Sequence, residues 1–265
     1  MGSYLSRRQD LGVELGSDWE RSSCQVEQVL TGQALLLQGL LSPKECTDFM
    51  ELMASGHDVL DIQLEHRVCR RLVSRQDRAM EQLWERVRGV MAEQGLLRLQ
   101  EREGSDWEAV GLNEVVRVVR YGPGGCFKPH CDAPFTRSVE ERSWWTLNIY
   151  LNTVEKEAEG ATVFLGNPRC TSRVPVQPQA GAGLLFFQPP LLHEGQPLLY
   201  GDKWLLRTDV MFRREQEVGP EETEARRLHK EATELELEGR GGEAWPLYAR
   251  AFKLWPPLER DSYLG

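Results

Sequence analysis

The chain has 265 residues, of which 40% are hydrophobic and eight are tryptophan. This length and composition are typical of a globular protein with one large β-rich domain and an appendage, and they argue against a disordered chain. The formal net charge is −9 at pH 7. Because phosphate binding requires a concentrated basic surface, this charge argues against nucleic acid as the main partner.

The six cysteines occur singly without a C-x-x-C pair, and the sequence contains no apolar run long enough to span a membrane. We therefore expect reduced thiols and an intracellular protein, cytoplasmic or nuclear. The first six residues fit the loose N-myristoylation pattern, with Gly2 as acceptor and Ser6 at the sixth position. The alternative is an unstructured tail that happens to begin this way. Membrane contact is expected only if Gly2 is myristoylated, since one acyl chain binds membranes weakly.

The N-terminal part is interpreted from local signals. Residues 1–30 are polar and lack periodicity, which predicts a flexible tail. Residues 31–110 are predicted to form a helical N-terminal part of the main domain. Ser42 and Pro43 read as an N-cap and a proline at the first helical position, so a helix is expected through about Ser55. A second helix is predicted over 75–95, where apolar residues recur at three- and four-residue steps.

From Leu112 onward the apolar residues alternate with a period of two, which is typical of β-strands. Glycine and proline turns separate the segments, and we place the core domain over residues 111–216. The pattern predicts a sandwich or barrel of the jelly-roll type. Strands are predicted at 115–121, 127–132, 145–151, 161–165, 183–187 and 204–213.

After Arg214 the chain becomes acidic, and a helical hairpin is predicted over residues 221–258. The hairpin has small, aromatic and proline residues at Ala232, Ala244, Tyr248, Ala251 and Pro256, and in these positions it resembles one tetratricopeptide repeat. A single repeat of this type cannot bury its own apolar face. The hairpin is therefore expected either to pack on the main domain or to bind a protein partner.

The strongest chemical signal is a set of metal-ligand residues. His130 and Asp132 stand two residues apart in a predicted strand, and residues i and i+2 of a strand share one face. Both can therefore reach one metal ion, with His193 as a third ligand from another strand. Two histidines and a carboxylate on one side of a metal are typical of non-heme Fe(II) oxygenases. A His-x-Asp pair alone is weak evidence, because a surface histidine beside a turn aspartate gives the same pattern.

Ordered motifs over residues 35–214 carry a family resemblance. They begin with Arg120-Tyr121-Gly122-Pro123-Gly124, continue with Phe127-Lys128-Pro129-His130-Cys131-Asp132, and close with His193 to Trp204. With the intervening motifs at 147–152, 160–164 and 178–186, the chain resembles the prolyl 4-hydroxylase branch of the 2-oxoglutarate/Fe(II) dioxygenases. The fold expected is α+β, with a double-stranded β-helix (jelly-roll) core, N-terminal flanking helices and the C-terminal hairpin.

The resemblance also implies roles for residues of the site. His130, Asp132 and His193 would bind Fe(II), which the keto acid end of the 2-oxoglutarate cosubstrate would chelate. The distal carboxylate of the cosubstrate needs a buried cation. Lys203 is expected to supply it, from its position ten residues after His193. Arg207 is the alternative, because it lies four residues further along the same strand face.

Two hydroxyl groups complete the predicted cosubstrate site. Tyr121 and Thr162 are candidates for hydrogen bonds to 2-oxoglutarate, with ordinary packing inside the barrel as the alternative. Ascorbate is a further cofactor that the resemblance implies. Asp132 favours hydroxylation, because related enzymes that halogenate lack this carboxylate.

The expected function is hydroxylation of a protein or peptide side chain, with a prolyl residue as the first candidate. The reaction would convert 2-oxoglutarate to succinate and CO2. Three other functions stay open from the sequence. They are a hydroxylase of a small molecule, a non-catalytic scaffold that binds a partner through its C-terminal hairpin, and the same triad holding zinc for hydrolysis.

Overall fold

The computed structural model describes residues 12–55, 58–100, 106–166, 172–188 and 190–262. The N-myristoylation pattern at Gly2 lies outside these residues. The chain divides into two compact units. The larger contains most of the chain up to Arg213, and the smaller contains the chain from Arg214 onward with two short earlier segments.

The described residues contain fourteen strands, two helices before the core and three helices after it. Helices α1 (Pro43–Ser55) and α2 (Asp77–Glu93) belong to the larger unit. In chain order, the strands are β1 (Gln25–Leu30), β2 (Ala34–Gln38), β3 (Leu60–Leu64), β4 (Arg67–Arg75), β5 (Arg98–Gln100), β6 (Asp106–Leu112), β7 (Val115–Tyr121), β8 (Cys126–His130), β9 (Glu141–Tyr150), β10 (Thr162–Leu165), β11 (Arg173–Val176), β12 (Gly183–Phe187), β13 (His193–Gly195) and β14 (Lys203–Arg214).

The strands form a mostly antiparallel, nearly closed barrel of the jelly-roll type. The larger sheet has the order β1-β2-β12-β9-β14-β7-β4, and the smaller has the order β8-β13-β10-β11. A short pairing of β4 with β8, which places Arg67 opposite Phe127, joins the two sheets. Strand β3 pairs with β4, and β6 pairs with both β14 and β5. The predicted jelly-roll fold is confirmed.

The interior of the barrel is filled by alternating residues of both sheets, as the period of two requires. Large side chains dominate this core and include the buried Tyr150, Phe164 and Phe186. Phe164 and Phe186 meet edge to face, with ring centroids 5.4 Å apart. The remaining buried members of the cluster are Ala34, Leu36, Cys69, Val119, Tyr121, Val176, Ala182, Leu184 and Leu205.

The start of α1 is fixed by a capping box and a buried ion pair. The Ser42 backbone N–H donates to Glu45 Oε2 at 2.7 Å, and the Glu45 backbone N–H donates to Ser42 Oγ at 3.3 Å. Arg86 of α2 donates to both Glu45 carboxylate oxygens, at 2.7 and 3.1 Å. Both side chains are only 6% exposed. The pair therefore connects the two flanking helices by a desolvated, bidentate contact.

The structure corrects two boundaries of the sequence interpretation. Residues 25–30 form β1, paired with β2, so they are not part of a flexible tail. The segment 31–110 contains five strands beside the two expected helices, so it is not mainly helical. Charged residues hide the strand signal there. Strand β4, for example, carries Arg67, Arg70 and Arg71, and most of its residues are only partly buried.

The part of the smaller unit that follows Arg214 contains three helices, α3 (Pro220–Leu237), α4 (Gly241–Leu254) and α5 (Pro257–Ser262). Small residues let α3 and α4 approach closely, and Ala225, Ala232, Ala244 and Ala251 are all buried. The tetratricopeptide-like character of this hairpin stays a prediction. Among the residues that the structure describes, no helix has both the length and the hydropathy that a membrane span requires.

Candidate metal and cosubstrate site

The three predicted metal ligands meet inside the barrel. His130 is the last residue of β8, and the antiparallel register places it directly opposite His193, the first residue of β13. Asp132 follows two residues after His130. Its Oδ1 lies 3.7 Å from His130 Nε2, and its Oδ2 lies 3.8 Å from His193 Nε2. One potential ligand atom from each residue falls within 4.8 Å of the others.

The backbone fixes the tautomer of both imidazoles. His130 Nδ1 donates to the Lys128 carbonyl oxygen at 2.8 Å, and His193 Nδ1 donates to the Leu191 carbonyl oxygen at 3.1 Å. A carbonyl oxygen can only accept, so each Nδ1 carries the proton and each Nε2 lone pair is free to bind a metal. Burial and the neighbouring His193 lower the pKa of His130 to about 4, and burial lowers the pKa of His193. Both rings are therefore neutral at pH 7, as metal ligands must be.

Polar side chains around Asp132 keep its carboxylate ionised and oriented. Burial alone would raise its pKa, but the positive charge of Arg207, electrostatic interaction with the two histidines and the hydrogen bond from Thr146 outweigh burial and lower it. Arg207 Nη1 lies 2.8 Å from Oδ1, and the Thr146 hydroxyl donates to Oδ2 at 3.0 Å. Gln188 in turn donates to the Thr146 hydroxyl at 3.3 Å.

Thr146 and Gln188 were missed by the sequence interpretation. The only signal for Thr146 is that it shares the inner face of β9 with Asn148 and Tyr150. Its contact with Asp132 depends on folding of the intervening loop. The signal for Gln188 is weaker, because it lies just beyond the end of β12.

Lys203 is a buried cation that has no counter-ion among the described residues. Its side chain donates to the Gly160 carbonyl oxygen at 2.7 Å, and its Nζ lies 5.7 Å from the ring centroids of both Tyr121 and Tyr150. The residue is 3% exposed. Within the described part of the chain, no carboxylate lies within ion-pair distance of Lys203. Burial lowers its pKa to about 7. An anion that reached Lys203 would therefore find an unpaired, desolvated ammonium group.

The two predicted hydroxyl groups lie beside Lys203. Tyr121 is directly opposite Lys203 across β7 and β14, and it hydrogen-bonds with Arg67. Burial raises the pKa of Tyr121 to about 12, so its hydroxyl stays protonated. The Thr162 hydroxyl accepts a hydrogen bond from the Tyr150 hydroxyl at 2.8 Å. Tyr150 is thus a further member of this site that the sequence interpretation missed.

A single pocket brings all of the predicted residues together. Its walls also include apolar side chains of the barrel, among them Val119, Phe127 and Leu205. The residues predicted for metal and cosubstrate binding that line it are Tyr121, His130, Asp132, Thr162, His193, Lys203 and Arg207.

The barrel and the triad together define a metal-binding protein of the double-stranded β-helix class. The three potential metal ligands line the same pocket as the cationic side chains of Lys203 and Arg207. Residues 116–208, which contain the whole triad and Lys203, match the family model described as the 2OG-Fe(II) oxygenase superfamily. The match agrees with the assignment that the sequence resemblance suggested.

Individual relatives agree with this assignment. The chain is 35% identical over 130 residues to prolyl 4-hydroxylase subunit alpha-3 of Rattus norvegicus, a match that covers 41% of this chain and 22% of that protein. The subunit of the same name from Homo sapiens is 36% identical over 107 residues, covering 35% and 18%. The chain thus spans about a fifth of the length of these curated relatives. A solved Pseudomonas putida prolyl-4-hydroxylase is 16% identical with a TM-score of 0.51, covers 71% of this chain and 96% of that chain, and supports the fold.

Proposed function

We propose that the chain is an Fe(II)/2-oxoglutarate-dependent dioxygenase that hydroxylates a protein or peptide side chain, with a prolyl residue as the first candidate. One observation carries the proposal. A facial set of two neutral imidazoles and a carboxylate shares a pocket with Lys203, a buried lysine that has no counter-ion among the described residues. The two imidazoles and the carboxylate suit a metal ion, and Lys203 suits the distal carboxylate of a dicarboxylic cosubstrate. The prolyl candidate rests on the curated relatives.

The residues of this chain divide the work between binding and orientation. His130, Asp132 and His193 would hold Fe(II), which when bound supplies the activation of dioxygen coupled to conversion of 2-oxoglutarate to succinate and CO2. Lys203 would bind and orient the distal carboxylate, and the hydroxyl groups of Tyr121 and Thr162, which line the same pocket, would add hydrogen bonds.

The barrel wall also contributes. Apolar residues around the pocket exclude water, which strengthens these polar contacts. By the family resemblance, enzymes that halogenate lack the carboxylate that Asp132 would supply to the metal, so the product expected is an alcohol. Ascorbate as a reductant rests on the family resemblance alone.

The test is an anaerobic titration of Fe(II) and 2-oxoglutarate into the purified protein. The visible charge-transfer band of the chelated complex is expected in the wild type and is expected to be lost in His130→Ala. His229→Ala is the matched control, because this histidine lies on α3, outside the larger unit. A wild-type protein that is folded but develops no band would contradict the proposal.

A second step then tests the reaction class. Under air, the wild type should release succinate and add one oxygen atom to prolyl peptides. Release of succinate without any oxidised peptide would support the dioxygenase activity and would rule out the prolyl peptide as substrate.

A further inference from the structure

The inner face of the larger sheet carries a second cationic position, separate from Lys203. On β14, Arg207 lies directly opposite Arg117 of β7 on one side and Asn148 of β9 on the other. Residues paired in this way point to the same face of the sheet. Lys203 lies four residues away along β14, about 13 Å at the usual rise per residue. The two cationic positions therefore cannot serve the same small carboxylate.

A buried donor at this second position makes no hydrogen bond. Arg117 Nη1 is buried and donates to no described residue, and its ion-pair contact with Asp209 Oδ2 is 3.6 Å long. Asn148 is 8% exposed and lines the same pocket, where its side-chain amide N–H groups can donate. Buried donors are nearly always satisfied in folded proteins, so a guanidinium N–H without a hydrogen bond at a pocket indicates a missing acceptor.

Positive charge at this position exceeds the negative charge available. Asp209 is the carboxylate nearest to Arg117, and it is already shared with Arg207 at 3.5 Å and with Gln188 at 3.0 Å. Arg207 is also engaged with Asp132. Arg71 adds another guanidinium, from β4 opposite Val119. Burial and the other arginines lower the pKa values of Arg71 and Arg117, which reflects the crowding of like charges.

We infer that Arg117 and Asn148, supported by Arg71 and Arg207, bind a carboxylate of the substrate. This inference rests on the proposed function and narrows it to acidic substrates, such as a peptide with an aspartate or glutamate near the oxidised residue. A planar guanidinium beside an amide matches the geometry of a carboxylate and can donate to both of its oxygens. Arg117 acts here as a specificity residue, because it contacts substrate and not the metal.

The test uses a carboxylate probe and its neutral isostere on the loaded protein. Mn(II), which takes the same ligands as Fe(II), is added together with saturating 2-oxoglutarate. Propionate and propionamide are then titrated separately, and the relaxation of their protons by the paramagnetic Mn(II) reports binding near the metal. Propionate is expected to bind about tenfold or more tightly than propionamide, as one charge-assisted hydrogen bond would give.

Variants at two arginines of the same strand separate the explanations. Arg117→Gln should reduce propionate binding to the level of propionamide. Arg120→Gln should leave it unchanged, because Arg120 lies on the opposite face of β7 and pairs with Asp202 at 2.9 Å. Arg117→Lys keeps a cation beside Asp209 in case the glutamine variant fails to fold, and its binding should be intermediate.

Three results would overturn the inference. The first is equal binding of propionate and propionamide, and the second is that neither probe binds. The third is that propionate still binds with wild-type affinity in both Arg117 variants, because this would indicate that propionate coordinates the metal directly. The electron paramagnetic resonance spectrum of Mn(II), recorded with and without 2-oxoglutarate before any propionate is added, tests the proposed function separately. If Mn(II) and 2-oxoglutarate do not bind, both the function and this inference are wrong.

Discussion

Replacing Lys203 with methionine is expected to stabilise the ligand-free protein while removing cosubstrate binding. The pKa of this lysine falls from 10.5 in its ordinary state to about 7 in the folded protein, because burial opposes its charge. Each pKa unit corresponds to about 1.4 kcal/mol, so the buried ammonium costs about 5 kcal/mol at or below pH 7. Methionine has a similar length and no charge.

The gain in stability is partly offset by the loss of the hydrogen bond that Lys203 makes. Lys203 donates to the buried Gly160 carbonyl oxygen, which would lose its partner in Lys203→Met. An unsatisfied buried acceptor costs about 1–3 kcal/mol. The net expectation is that the free energy of unfolding of the barrel rises by about 2–4 kcal/mol at pH 7.

The pH dependence of stability provides an internal check on the cause. Between about pH 7 and 10.5 the unfolded chain keeps a proton on Lys203 that the folded chain has released. The wild type should therefore gain stability as the pH rises through this window, by up to about 1.4 kcal/mol per pH unit. Lys203→Met should lack this contribution. Measurements should stop below pH 10, because Tyr121, with its pKa raised to about 12, adds an opposite trend above that pH.

The assay is urea unfolding of the metal-free protein, without 2-oxoglutarate, at several pH values between 7 and 9.5. Lys203→Arg serves as the control, because arginine keeps its charge throughout this range. The reasoning would be refuted if Lys203→Met were less stable than the wild type at pH 7, or if the two proteins kept the same slope of stability against pH.

Three further outcomes are expected. The affinity for 2-oxoglutarate should fall about tenfold per pH unit above pH 7, because Lys203 must be protonated to pair with the carboxylate. Calorimetric titration measures this affinity, and an affinity that does not change with pH would show that Lys203 is not the anchor. In His130→Ala the affinity for Mn(II) should fall at least about tenfold. The stability should change little, since His130 lies at the end of a strand. If electron paramagnetic resonance showed an unchanged affinity for Mn(II), His130 would not be a metal ligand. Glu45→Gln should destabilise the protein by about 3 kcal/mol, because Arg86 and the Ser42 and Gly16 backbone groups outweigh burial and lower the pKa of Glu45 to about 2. The wild-type contribution is complete above about pH 4.5 and is lost as the pH falls towards 2, so acid unfolding of the two proteins should converge there.

Local signals in the sequence were sufficient for the regular elements. The predicted helices at 42–55 and 75–95 correspond to α1 and α2, and the predicted strands at 115–121 and 183–187 coincide with β7 and β12. These segments have long periodic patterns or clear caps. His193 was expected on a separate strand, but the bounds of β13 were not predicted. This strand has three residues, and its pairing with β8 and β10, rather than its own composition, makes it a strand.

The chemistry of the site was predictable only where residue type and spacing carried it. The triad and Lys203 follow from the motif, and the structure places them in one pocket. The contacts of Thr146 and Arg117 depend on register between strands far apart in the sequence. The shared face of Arg207 and Arg117, for example, exists only because β14 pairs with β7. No period within either segment encodes that pairing.

The carbonyl groups that orient His130 and His193 belong to residues 128 and 191 of the same segments. A carbonyl oxygen is present whichever side chain occupies those positions, so the orientation of these two imidazoles places little demand on the surrounding sequence. The wall formed by Arg71, Arg117 and Asn148 can therefore change its charge while the two imidazoles keep their orientation. In evolution, the metal centre can be retained while the substrate preference changes. In protein design, the residues of this wall can be substituted independently of the two imidazoles.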